Sequence, residues 1–74
     1  MNKKEERVTI LANWKDGDDS NTSREMGRMG IPVTKQAVRK WRTGETVDSK
    51  LDQFYRRAAK QVQAARATAA RATN

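Results

Sequence analysis

The chain has 74 residues, 35% of them hydrophobic and ten of those alanine, which is material for one small core of three or four helices. A domain of this size buries only about 60% of the surface its unfolded chain exposes, so its stability is marginal. Cysteine and histidine are both absent, which excludes disulfides, metal sites built on Cys or His, and nucleophile–histidine dyads.

Only carboxylates, Lys, Tyr and Ser remain as catalytic groups, and they do not cluster, so neither an enzyme nor a cofactor is expected. No stretch approaches the roughly 20 apolar residues of a membrane span. No apolar run follows the basic start, as a secretory signal would require. The expectation is a soluble cytoplasmic protein. Sixteen Lys and Arg against nine Asp and Glu give a net charge of +7, and a small basic domain points to a polyanionic partner, nucleic acid first. Residues 24–42 and 54–74 each carry +5, while 16–23 and 43–53 are acidic.

In chain order, Glu5 to Lys15 is the first helical stretch, with Val8, Leu11 and Trp14 at helical spacing and Ile10 beside them. It stops at Asp16-Gly17-Asp18-Asp19-Ser20-Asn21, a run of turn formers. As a calcium loop this segment fails, because Asn21 stands where the sharp-turn glycine belongs and Gly27 where the bidentate glutamate belongs. Thr22-Ser23-Arg24-Glu25 has the form of a capping box and predicts a second helix from Thr22 to Gly30, with Met26 and Met29 on its inner face. Gly27 in its interior costs about 1 kcal/mol relative to alanine, which points to another backbone crossing close by or else to a merely suboptimal helix.

Pro32 disfavours helix at Ile31, and Thr34 is a natural cap for a third helix, Lys35 to Arg42, terminated by Gly44. Ala37, Val38 and Trp41 share one side of it; Lys35, Gln36, Arg39, Lys40 and Thr43 share the other. Trp14 and Trp41 each lie on an apolar stripe and are read as core rather than as stacking platforms. A last helix is predicted from near Ser49, with Asp52 three residues on. It runs through Leu51, Phe54 and Tyr55 into an Ala/Arg-rich tail. No segment alternates as a strand does, so the fold is expected to be all-α: residues 1–62 as one domain, 63–74 as a fraying or disordered arm.

Two short helices joined by a turn, the second with a basic outer face, have the layout of a helix-turn-helix. Thr34 to Gly44 resembles the recognition helix of the phage repressor and Cro family, close to S/T-x-Q-x-V-S-x-W-x-x-G, with Thr34, Gln36, Val38, Trp41 and Gly44 matching. Gly27 falls where that family places a small residue, and Met29-Gly30-Ile31 resembles its turn. Seven residues separate Gly30 from Val38 where the family has five, so Pro32 and Val33 read as an insertion. The resemblance covers about residues 22–44.

It implies a sequence-specific regulator of phage or plasmid type that binds double-stranded DNA in the nucleoid of a bacterial host. Lys35, Gln36, Arg39 and Lys40 would face base edges, because Gln pairs with adenine and Arg or Lys with guanine in the major groove. Thr34, Thr43, Arg24, Arg28 and Arg42 would meet phosphates, with Asp18 and Asp19 turned away. Gly30-Ile31-Pro32, Val38, Trp41 and Phe54-Tyr55 also resemble the small terminase subunits that recognise viral DNA for packaging, which is the alternative reading. A protein-interaction module with a helical tail is a third. In the tail, Leu51, Tyr55, Ala58, Val62, Ala65, Ala69 and Ala72 keep four-three spacing, a seam too rich in alanine for more than a weak homodimer. Arg56, Arg57, Lys60, Arg66 and Arg71 are expected to draw DNA non-specifically.

Overall fold

The computed structural model, which describes residues 2–46 and 50–72, contains four helices: α1 (Lys3–Ala12), α2 (Asp18–Arg28), α3 (Lys35–Arg42) and α4 (Asp52–Ala72). There is no strand among the described residues, and the all-α expectation holds. At 21 residues, α4 is about 31 Å long and forms the spine. The other three helices pack on it, and α2 also packs on α3.

Local chemistry sets most of the boundaries. Asn2 caps α1, which begins earlier than the Glu5 of the sequence reading, by accepting from the Glu5 amide at 2.9 Å; Thr34 caps α3 as predicted, accepting from the Ala37 amide at 3.1 Å. The two short helices α2 and α3 end in the same way. Gly30 N donates to Gly27 O and Ile31 N to Met26 O; Gly44 N donates to Trp41 O and Glu45 N to Lys40 O. This doubled closure needs a residue at positive φ, supplied by Gly30 at 82° and Gly44 at 95°.

The start of α2 departs from the sequence reading. It lies at Asp18, not Thr22, so there is no capping box. Two aspartates suit the positive end of a helix, and Asp18 Oδ2 accepts from the Lys15 amide at 2.9 Å. Thr22 thereby becomes an interior helical position, fully buried, and its hydroxyl has no hydrogen-bond partner among the described residues. Two other expectations fail. Val8 is 61% exposed, because the inner face of α1 centres on Ile10. No backbone among the described residues crosses at Gly27, where an added Cβ would meet nothing within 4 Å, which favours the suboptimal-helix reading. The predicted start of the last helix, Ser49, lies outside the described residues.

The core consists of Ile10, Met26, Val38, Trp41, Tyr55, Ala58 and Ala59, with Leu11, Trp14, Met29, Ile31, Val33, Leu51 and Phe54 packed around it. Trp41 is fully buried, stacked on Tyr55 with ring centroids 5.3 Å apart and tilted against Trp14 at 6.3 Å. Trp41 is a core residue and Trp14 a half-buried one packed against the core, so neither stands free as a stacking platform. Tyr55 and Ala58 of the four-three seam belong to this intramolecular core and Leu51 packs against it, whereas Val62 is half-buried beside the α2–α4 groove and Ala65 and Ala69 are exposed. The side chain of Ala72 lies outside the described residues.

Attachment of α4 does not stop at Val62. Gln63 Nε2 donates to Ile10 O at 2.8 Å and Arg66 Nη2 to Asn13 O at 2.7 Å, while Arg66 Nη1 pairs with Asp18. The α1 C-terminus has no basic residue in its own last turn; α4 supplies its cation and its donors. No described helix is long and apolar enough to cross a membrane.

Candidate nucleic-acid interface

Helix α3 buries Val38 and Trp41 and half-buries Ala37, while Lys35, Gln36, Arg39, Lys40 and Thr43 lie exposed on the other side. This is the division read from 3.6-residue periodicity. The side chains of Lys35, Gln36, Arg39 and Lys40 make no hydrogen bond or ion pair among the described residues. Thr34 is exposed with its oxygen engaged as the cap, and the Thr43 hydroxyl bonds back to Lys40 O at 3.2 Å.

Several polar contacts hold α3 at fixed points. Ser23 Oγ donates to Val33 O at 2.7 Å and secures the chain entering it. The Trp41 indole donates to Asp52 Oδ1 at 2.7 Å. Arg7, reaching from α1, donates to Trp41 O and, at 3.3 Å, to Arg42 O, with its guanidinium 5.0 Å from the centre of the Trp41 ring. A cation on the last carbonyls of a helix is also favoured by the helix dipole.

The remaining predicted site residues are distributed differently. Arg42 Nε pairs with Asp19 Oδ1 at 3.2 Å, and its guanidinium lies 5.8 Å from the centre of the Trp14 ring. Arg42 is thus engaged within the fold. Arg28, 70% exposed, pairs with Glu25 at 3.3 Å; Arg24 is exposed and unpaired among the described residues. Arg24 and Arg28 line a groove between α2 and α4 beside Gln61, Val62 and Ala65. Lys35, Gln36 and Arg39 meet in another, with Gly17, Asp19 and Ser20. The structure therefore brings three of the base-reading candidates together and leaves the α2 arginines apart from them.

The two aspartates expected to turn away from the duplex differ from each other. Asp18 is buried against Arg66. Asp19 borders the α3 groove, held from behind by Arg42 and by the Trp14 indole at 3.2 Å.

Most of the α4 charge is engaged as well. Arg56, 11% exposed at its side chain, donates to Asp52 Oδ2 at 2.9 Å and Glu6 Oε1 at 3.0 Å; Lys60 reaches Glu6 Oε2 at 3.4 Å. Burial pushes the Glu6 carboxyl upward, but the hydrogen bonds from Arg56 and Lys60 outweigh it and hold the group below the usual glutamate value. Arg57 is exposed and unpaired among the described residues, and the Arg71 side chain lies outside them. The partnerships of Arg7, Asp19 and Asp52 were not foreseen from the sequence. Only the four-residue spacing of Asp52 and Arg56 was available to signal one of these partnerships.

No family model matches the chain, and no curated protein or solved structure matches it.

Proposed function

We propose that this protein binds double-stranded DNA through the outer face of α3, as a sequence-specific regulator of the phage or plasmid type. One observation carries the reading: Lys35, Gln36, Arg39 and Lys40 stand exposed and unengaged among the described residues on one face of a helix fixed at both ends. Donors with no internal partner on a fixed helix are what a helix lying in a major groove offers to base edges. The positive charge of the chain and its resemblance to the repressor and Cro recognition helix over Thr34 to Gly44 agree with this reading. Regulation by occupying an operator requires no chemistry from the protein.

Selection of bound sequences from random duplex DNA tests the proposal. A defined motif should emerge, and Gln36→Ala or Arg39→Ala should weaken binding to it by about 1–3 kcal/mol and relax preference at single positions. Retention of the same motif by both variants would remove α3 as the reading helix.

A further inference from the structure

The groove beside α3 contains a carboxylate. Its lining is Lys35, Gln36 and Arg39 from α3 and Gly17, Asp19 and Ser20 from the start of α2, around a space of about 310 Å³. Asp19 is 29% exposed at its side chain, and only Oδ1 takes the two recorded contacts, from Trp14 Nε1 and Arg42 Nε, each at 3.2 Å. Both contacts come from the body of the protein. Neither Lys35 nor Arg39 closes onto this acid, so the groove carries two cations, an amide and an anion whose Oδ2 has no hydrogen bond among the described residues.

A groove of mixed sign discriminates between the two parts of a duplex. The phosphate backbone is anionic throughout and is repelled by Asp19. Base edges present acceptors and donors together, and a carboxylate accepts from an exocyclic amino group, most directly that of cytosine. The contacts from Arg42 and Trp14 fix Asp19 in place, so the oxygen is pre-set instead of being ordered on binding. We infer that Asp19 is a specificity-determining residue of the α3 site: it keeps phosphate out of the groove and accepts a hydrogen bond from a base amino group. The inference rests on the DNA-binding reading and adds to it an acid that neither charge balance nor the α3 sequence indicates.

The test compares Asp19→Asn with Asp16→Asn, which removes the same charge from the exposed turn at the edge of the α2–α4 groove. Affinity is measured for the site selected by the wild-type protein and for a mixed-sequence duplex, across a salt series. Asp19→Asn should strengthen mixed-sequence binding more than Asp16→Asn does. It should also relax one base position, losing about five-fold or more of the discrimination there, the low end of one base contact. Asp19→Glu, which keeps the charge and moves the oxygen, should strengthen mixed-sequence binding less than Asp19→Asn does and still alter that position; it covers a loss of folding in the amide variant. Equal effects of Asp19→Asn and Asp16→Asn with base preference intact would overturn the inference, leaving Asp19 only as the partner of Arg42. Failure of the wild-type protein to bind any duplex at low salt would instead defeat the underlying DNA-binding reading, which separates the two failures.

Discussion

Helices α3 and α4 look alike in the sequence, each a basic stretch carrying +5 with its flanks, but the fold treats their cations in opposite ways. On α4, Arg56, Lys60 and Arg66 reach acids on α1, on α2 or in their own first turn. On α3, only Arg42, at the inner edge, finds an acid; Lys35, Arg39 and Lys40 have none among the described residues. Net charge is therefore a poor guide to where a polyanion would bind. What separates the two helices is whether a cation lies beside the body or opposite it, which depends on the tertiary arrangement.

The sharpest way to break this comparison is to remove a paired cation. Arg56→Ala leaves Glu6 with only Lys60 and Asp52 with only the Trp41 indole and should cost about 3 kcal/mol, the low end for breaking a mostly buried ion pair, read as a large fall in the denaturant midpoint. Arg39→Ala should stay within about 0.5 kcal/mol of the parent, as for an exposed substitution. Similar losses in the two variants would erase the distinction.

Next in size is the far end of α4. Arg66→Ala leaves the buried Asp18 carboxylate with only the Lys15 amide and should cost about 1–3 kcal/mol, its partial exposure keeping the value below that of Arg56. Truncation after residue 66 should leave the thermal midpoint nearly unchanged, and truncation after residue 62 should lower it. This reverses the expectation that the chain beyond Val62 is a dispensable arm, since Gln63 and Arg66 close the end of α1.

The Glu6 pair gives the comparison a pH dependence. A carboxyl whose folded value is depressed stabilises above its unfolded value, and that contribution is lost as pH falls through the folded value. Thermal midpoints of Glu6→Gln and the parent should therefore differ at neutral pH and converge in acid, below the ordinary glutamate range. A constant difference down to acid pH would show that Arg56 and Lys60 do not stabilise the charged form.

Smallest, and of opposite sign, is α2. Gly27→Ala enters open space in a helix interior and should raise stability by up to about 1 kcal/mol. Thr22→Val removes an unpartnered buried hydroxyl and should also stabilise by about 1 kcal/mol, a fraction of the cost of burying such a group unsatisfied. Calorimetric midpoints of the two variants measure both changes, and a fall in either contradicts the packing described for α2.

These cases mark what was legible. Helix α3 was read to the residue, because Thr34, Gly44 and the Val38/Trp41 stripe are local signals that all agree. The start of α2 was not, because Thr22 to Glu25 imitate a cap while Asp18 gains its role from Lys15 and from Arg66, 48 residues away. Val8 was misassigned by a one-residue rotation of the α1 face. In the candidate site, Lys35, Gln36 and Arg39 were legible from periodicity. Asp19 and Arg7 were not, since each takes its position from a contact between elements distant in sequence.

The most direct measurement of the central claim is the binding of Arg39→Ala and Lys60→Ala to one duplex over a salt series, with each variant losing one charge from the same total. Lys60 is 56% exposed and lies against Glu6; Arg39 has no partner among the described residues. Arg39→Ala should lose specific affinity by about 1–3 kcal/mol and relax base preference at one position, whereas Lys60→Ala should match the parent in both. Equal losses in the two variants would show that DNA responds to the total charge of the protein, and that the α3 face is not its binding surface.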